Sequence, residues 1–444
     1  MEHLVILGNG IAGVTTARHV RKRSDIKITI ISNETDHFFS RTALMYIFMG
    51  HMKYEHTKPY EDWFWEKNRL NLVRGFVSEI DTGKQRLIFD DGKTIEYDKL
   101  VIATGSKSNK FGWPGQDLPG VQGLYSFQDL ELLEKNTADI HRAVIVGGGL
   151  IGIELAEMLL SRNIPVTMLV RENYYWDNIL PENEAKLISR HVRAHGIDLR
   201  LKTNLKEIVA GKDGRARAVI TEFDEEISCQ LVGLTPGVHP NIDIVKNSRI
   251  ETNRGVLVND FLETNIPGVY ACGDCVEIVV EGAARNRIEQ LWYTGRMQGQ
   301  ALAKTICGAP TKYERGIWFN SAKFLDIEYQ TYGFVSNTPR DGEKSFYWEH
   351  PDGQKCLHVV YRETDQSVVG VNVFGVRMRH KVWEEWLRDR RTLEFVLQNL
   401  PDANFDPEFY RTHEPAILAA YQQQTGRQLQ LKQKPGFFKR LLAV

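Results

Sequence analysis

Apolar positions in the first 310 residues alternate between two rhythms. Residues 4–7 form a short continuous apolar run that stops at Gly8, residues 11–23 carry apolar side chains at helical spacing, and residues 26–32 return to a buried-strand run. That change of period predicts strand, glycine turn, helix and strand, a βαβ unit. A second copy begins near residue 142, with a strand at Ala143–Val146, a turn at Gly147 to Gly149, a helix over 150–162 and a strand at Val166–Val170. Each copy is followed by alternating, strand-like sequence punctuated by turns. These are Asp81-Thr82-Gly83-Lys84 and Asp90-Asp91-Gly92-Lys93 after the first, and Lys212-Asp213-Gly214-Arg215 after the second. The chain therefore reads as two similar units roughly 140 residues apart, each a nucleotide-binding half with an inserted β-meander.

From about residue 310 the rhythm becomes that of antiparallel strands, expected at 324–332, 345–348, 356–361 and 367–374 with Pro351-Asp352-Gly353 as a turn. A helix over 381–400, a second over 413–424 and a basic tail follow. The fold class expected is α/β: two Rossmann-like three-layer domains plus a C-terminal α+β domain. The expected boundaries are 1–112 with 235–310 for the first dinucleotide domain, 113–234 for the second, and 311–444 for the third, which carries the tail.

Composition narrows the function. A chain of 444 residues is long enough for about three domains. Its 56 Lys and Arg against 57 Asp and Glu leave no global field to attract nucleic acid or an anionic membrane. Five cysteines, an odd and scattered set, do not form an oxidised framework, so a reducing cytoplasmic setting is expected. The run at 4–7 follows Glu2 and breaks at Gly8, unlike a secretory leader. No run of 18 apolar residues predicts a transmembrane helix. The tail Lys432-Gln433-Lys434-Pro435-Gly436-Phe437-Phe438-Lys439-Arg440-Leu441-Leu442 mixes cations with bulky apolar side chains, a pattern that docks on anionic lipid or a partner, or simply packs or stays disordered.

The chemistry concentrates in two glycine motifs. Gly8-Asn9-Gly10-Ile11-Ala12-Gly13 lies between a strand and a helix. There Gly8 permits the turn, Gly10 lets a pyrophosphate approach the backbone, Gly13 packs helix on strand, and the helix N-terminus offers N–H groups to an anion. Glu34, just past the second strand, is placed to accept from a ribose hydroxyl. Gly147-Gly148-Gly149-Leu150-Ile151-Gly152 meets the same requirements. Two fingerprints mean two dinucleotides, and a protein that holds both most simply passes electrons between them. Cys272 and Cys275 form a CxxC, which alone reads as a redox dithiol or half a zinc site. Without a second pair, and beside Gly273 and Asp274, they read as small buried residues, and no metal site is assigned.

These motifs resemble the flavoprotein reductases that bind two dinucleotides in a glutathione-reductase-like fold, the pyridine nucleotide-disulfide oxidoreductase superfamily. The resemblance rests on both fingerprints, on Ala103-Thr104-Gly105-Ser106, and on the TNIPGVYACGD run from Thr264 to Asp274. It implies that the first fingerprint holds FAD, that Ala103, Thr104 and Gly105 mark the crossover between domains, and that Gly273 and Asp274 meet the flavin's ribityl and pyrophosphate. It further implies that Val77 offers a backbone contact to adenine and that Gly237, Pro240 and Asn241 match a GVxPN segment. In the run Phe39-Ser40-Arg41-Thr42-Ala43-Leu44-Met45-Tyr46, relatives that reduce coenzyme A disulfide carry a redox cysteine where this chain has Thr42. A hydroxyl cannot cycle through thiolate and disulfide.

The pattern is closer to the ferredoxin and rubredoxin reductases and to apoptosis-inducing factor, which lack that cysteine and often carry lysine at the place of Tyr46. Arg41 matches them, Glu154 matches the acid they set beside the nicotinamide, and Trp292 lies in the segment that closes their flavin pocket. Gly147, Gly149, Leu150, Ile151 and Gly152 would hold NAD(P)H, and Arg171 after Val170 favours NADPH slightly. The expected roles are nicotinamide positioning by Glu154 and flavin positioning by Arg41 and Tyr46, with Thr42 near the ring. The implied function is hydride transfer from NAD(P)H to FAD and electron delivery to an external acceptor, first a ferredoxin- or rubredoxin-like protein. Alternatives are a quinone, with the tail as membrane foothold, and a redox-sensing binding protein. The aromatic third domain suits a homodimer interface.

Overall fold

A computed structural model describes residues 1–432; the basic tail beyond Lys432 lies outside the described residues. The described residues form two compact units, one of residues 1–171 with 202–315, the other of residues 172–201 with those from 316 onward.

In the first unit the β-branched runs become the centre of parallel sheets, where both faces are covered and side chains need no alternation. The first sheet runs Val269–Ala271, Lys99–Ile102, His3–Leu7, Lys27–Ser32, Leu70–Arg74, with every neighbouring pair parallel. Leu4, Val5, Ile6, Leu100, Val101 and Ile102 are wholly buried there. In a second sheet, Ala143–Val146 lies parallel between Val166–Val170 and Leu231–Leu234. The fingerprint helices follow as expected, Ile11–Arg21 and Leu150–Ser161. Each half carries its meander, Val77–Asp81, Arg86–Phe89 and Thr94–Glu96 in one, Leu205–Ala210, Ala216–Thr221 and Glu226–Ser228 in the other. All three turns named from the sequence connect these strands.

The helix Trp292–Ile306 crosses Ile11–Arg21 closely because two of its residues have no side chain. A Cβ at Gly299 would stand 2.6 Å from the Ala12 carbonyl oxygen, and one at Gly295 would stand 3.4 Å from Ile11. The approach at Gly299 excludes any side chain, whereas at Gly295 a methyl would sit in ordinary contact.

The second unit has its own core, in which an antiparallel five-stranded sheet packs on Trp383, Trp386, Leu397 and Leu400. Two expectations are corrected here. The strand expected over 324–332 is a hairpin of Phe319–Phe324 and Ile327–Gly333, turned at Leu325, whose φ is 58°. The helix expected over 381–400 is three pieces, His380–Arg388, Leu393–Gln398 and Leu400–Ala403. The break falls where Arg390 takes a φ of 53° and the Thr392 hydroxyl caps a new start by accepting from the Phe395 N–H. The last helix is found at Glu414–Thr425, closed by left-handed Gly426.

Candidate functional site

The two glycine loops solve one steric problem in the same way. A Cβ at Gly8 would stand 2.1 Å from the Ala103 carbonyl oxygen, and one at Gly13 would stand 2.2 Å from that of Gly8. In the second loop a Cβ at Gly147 would stand 2.5 Å from the Thr235 carbonyl oxygen and one at Gly152 would stand 2.7 Å from that of Gly147. Gly8 and Gly147 also hold φ values of 122° and 121°. The middle glycines differ: around Gly10 and around Gly149 no protein atom lies within 4 Å of the Cβ position. The outer glycines are thus required by the protein itself, and the middle ones leave a space that a side chain would fill. Neither following helix has an acidic residue in its own first turn to offset its positive end, an arrangement suited to an anion. Ile11, Ala12, Leu150 and Ile151 open those helices. The residues fit a diphosphate at both places.

Residues from six separate stretches of the sequence join in a single polar chain. Arg41 donates from Nη1 and Nη2 to the two carboxylate oxygens of Glu34, each at 2.6 Å, and from Nη1 to the Tyr125 carbonyl at 2.7 Å. The Phe127 N–H, at a helix start, donates to the same carboxylate at 2.9 Å. The guanidinium lies over the Tyr125 ring, 4.5 Å from its centre. At the far end of that ring the Tyr125 hydroxyl accepts from the Ser106 N–H at 2.9 Å and donates to Asp274 at 3.4 Å. Ser106 Oγ donates to Asp274 at 3.2 Å and accepts from Gln290 at 2.7 Å. The bidentate Arg–carboxylate geometry fixes both partners.

Electrostatics follow from burial. Burial opposes the charge of Arg41, but the Glu34 pair outweighs it and holds the guanidinium firmly protonated. Burial raises Asp274 above the ordinary carboxylate range against the hydrogen bond from Ser106, and raises the Tyr125 hydroxyl likewise. Burial, joined by the like charge of Glu157, pushes the Glu154 carboxyl up to about 7. Glu154 is partly buried in the helix Leu150–Ser161.

The crossover is tightly pinned. Thr104 donates from its hydroxyl to the Asn241 carbonyl at 2.6 Å, and the Asn241 N–H returns to the Gly105 carbonyl at 2.9 Å. Ser106–Ser108 then pairs with Val238–Pro240, next to Gly237 with its φ of 94°. Ala103 is buried against Gly8, and Val77 is buried at the start of its meander strand. Gly273 donates from its N–H to Gln298 at 2.6 Å, and a Cβ there would press on Ala12 at 2.9 Å.

Other expected residues take simpler places. Thr42 is exposed and bonds Ser40 at 3.1 Å, while Tyr46, in the short helix Leu44–Phe48, stacks on His51. That helix packs against Leu150–Ser161, the helix of Glu154, through Arg162, whose guanidinium lies 3.4 Å from the centre of the Phe48 ring. Trp292, the first residue of its helix, is partly exposed beside Arg296. Arg171 is exposed just after Val170. Cys272 and Cys275 are fully buried free thiols whose burial lifts them to about 12 and about 11, the behaviour of small apolar residues and not of a redox pair.

Glu34 was expected to meet a ribose and Arg41 a flavin; the two also hold each other. Tyr125, Gln290 and Gln298 were not singled out as site residues. Tyr125 carries a local signal in the Ser126-Phe127-Gln128-Asp129 capping box that follows it, in which Asp129 also accepts from the Tyr125 N–H at 2.8 Å.

Residues 2–299 match the pyridine nucleotide-disulphide oxidoreductase family. The assimilatory nitrate reductase electron transfer subunit of Bacillus subtilis is 28% identical over 397 residues, covering 88% of this chain and 50% of that protein. The chain thus spans about half the length of that relative. The NADH-rubredoxin oxidoreductase of Clostridium acetobutylicum is 28% identical over 402 residues, covering 89% of this chain and 99% of that one. A ferredoxin reductase structure from Rhodopseudomonas palustris shares the fold with a TM-score of 0.77 at 21% identity, over 92% of this chain and 96% of that one. Two loops built to the same steric plan, within a family match that takes in both, settle the kinship: this chain belongs to the pyridine nucleotide-disulphide oxidoreductases, a family of FAD- and NAD(P)H-dependent enzymes.

Proposed function

We propose that this chain is an NAD(P)H-dependent flavoprotein reductase that delivers electrons to an acceptor outside itself, a small iron–sulfur protein of the ferredoxin or rubredoxin kind. The observation that carries the reading is the coexistence of two open-glycine cradles with a buried, inert CxxC and a threonine at the place of the redox cysteine. The NADH-rubredoxin oxidoreductase relative, aligned over nearly its whole length, supports the iron–sulfur class of acceptor. The division into an FAD domain, an NAD(P)H domain and a C-terminal domain belongs to the same proposal, as do a cytoplasmic location and a homodimer. Among the described residues no helix is long and apolar enough to cross a membrane. The quinone alternative rests on the tail, outside the described residues.

FAD, when bound, would supply the hydride-accepting and electron-releasing chemistry. The chain's own residues bind, orient and exclude water. Gly10 and the Ile11–Arg21 helix start receive one diphosphate, Gly149 and the Leu150–Ser161 helix start the other. Asp274, held by Ser106 and Tyr125, and Trp292 would border the flavin, and Val77 would meet its adenine. Arg41, fixed by Glu34, and Tyr46 would position the flavin, with Thr42 near its ring. Glu154 orients the nicotinamide, and its carboxyl near 7 lets it hold a proton at neutral pH. Arg171 favours the 2′-phosphate of NADPH.

Anaerobic stopped-flow mixing of the purified flavoprotein with NADH and with NADPH tests this. The flavin band is expected to bleach, and a ferredoxin is expected to restore it at least about tenfold faster than a menaquinone analogue or oxygen. Faster return with the quinone would move the acceptor to that class. A long-lived charge-transfer band with slow turnover would favour a redox sensor, and no bleaching with either nucleotide would end the reductase reading.

A further inference from the structure

The second unit holds a group of side chains that electron transfer leaves unused. His191 lies in the helix Glu182–Ala194 and His195 is its C-cap residue, four positions on, so both rings emerge from one face. Asp326 occupies the tight turn between Phe319–Phe324 and Ile327–Gly333. Among the described residues these three bring one ligand atom each to within 4.8 Å of one another. Asp326 Oδ1 stands 2.6 Å from His191 Nε2 and 3.3 Å from His195 Nε2.

Two further observations point to a shared cation. His191 is 5% exposed, and its Nε2 has no hydrogen-bond partner although a carboxylate oxygen lies beside it. The two atoms are close without being aligned for donation, which is costly for a buried polar atom. At His195 it is Nδ1 that faces the His191 carbonyl, at 3.0 Å. An imidazole that donates from Nδ1 presents a bare Nε2 lone pair, and such a backbone bond is the usual support behind a metal-ligating histidine.

We propose that His191, His195 and Asp326 bind a divalent transition-metal ion of the zinc class, through two imidazole nitrogens and one carboxylate oxygen, with a fourth position left to solvent. Imidazole with carboxylate suits zinc, cobalt or nickel better than calcium or magnesium. Metal–ligand bonds of about 2.0–2.1 Å in tetrahedral geometry set ligands roughly 3.3 Å apart. The His195–Asp326 distance already matches, and Asp326, 65% exposed at its turn, has room to withdraw from His191. The ion would clamp the helix end to the hairpin turn.

The test counts metal and does not depend on turnover, so it stands apart from the reductase reading. Tag-free flavoprotein is stripped with a chelator, dialysed against buffered free Zn²⁺ at about 1 μM, and its zinc and flavin are measured together. About one zinc per chain is expected, with at least a tenfold weaker affinity in His195→Ala and in Asp326→Asn. Both positions are exposed, and unchanged flavin content and circular dichroism report that the variants fold. A zinc content below about 0.1 per chain in the parent, or equal zinc in parent and both variants, would overturn the proposal.

Discussion

Glu154 shows how one residue carries two consequences of burial. Its carboxyl ordinarily titrates at 4.5 and stands at about 7 in the folded chain. Between those values the folded protein keeps a proton that the unfolded chain has released. The protonated form therefore favours folding at low pH, and this contribution is lost as pH rises to 7. Glu154→Gln, which carries no charge to desolvate, is expected to match the parent below pH 4.5 and to exceed it by roughly 1–2 kcal/mol above pH 7, after allowance for partial exposure. Urea unfolding at pH 5 and pH 8 measures the difference; an equal offset at both values would remove the titration from the account. The sequence singles this residue out because it sits two positions beyond a fingerprint glycine. Arg41 and Glu34 were legible singly but not as a pair, since nothing in a linear reading tells that the six intervening positions fold to bring the two into a bidentate contact. Tyr125 escaped because the partners of its hydroxyl, Ser106 and Asp274, lie 19 and 149 positions away.

At the scale of the element, the strand–turn–helix loops were the most readable part of the chain, because their constraints are local: a glycine where the backbone turns and another where helix meets strand. The elements misread from sequence lack such punctuation. Leu325 and Arg390 take left-handed conformations that glycine would have announced, and the hairpin and helix break they create are set by tertiary packing instead. The loop geometry yields a paired prediction. Gly8→Ala places a Cβ on the Ala103 carbonyl at a φ closed to alanine, and is expected to cost about 3 kcal/mol or more of stability with or without cofactor. Gly10→Glu meets open space and is expected to keep the fold while losing FAD, because its charge and bulk oppose the diphosphate. Thermal melts and the 450 nm absorbance of the two purified variants distinguish them; a yellow Gly10→Glu protein would refute the placement of FAD at the first loop.

Across the whole molecule, the three-layer halves and the separate C-terminal core could be foreseen from hydrophobic rhythm, whereas the membership of residues 172–201 in the second unit could not. That membership shows in Glu184, wholly buried, which accepts from Asn372 at 2.9 Å and pairs with His358 at 3.0 Å. Contacts spanning more than 170 positions leave no local trace. Glu184→Ala strands two buried polar partners and is expected to destabilise the second unit by about 3 kcal/mol. Five of the nine tryptophans belong to that unit, so the tryptophan fluorescence transition should move to lower temperature by several degrees while flavin release moves little. Coincident shifts of both signals would mean that the chain unfolds as one.

The twin steric plan of the glycine loops also bears on how such a protein changes its diet of cofactors. A loop whose outer glycines answer to its own backbone, and whose middle glycine faces empty space, admits any dinucleotide with a diphosphate. In the proposed reading, choice falls to what stands where each second strand ends, an acid at Glu34 and a cation at Arg171. On that proposal, single exposed positions such as Arg171 are open to change while the costly backbone geometry beneath stays untouched.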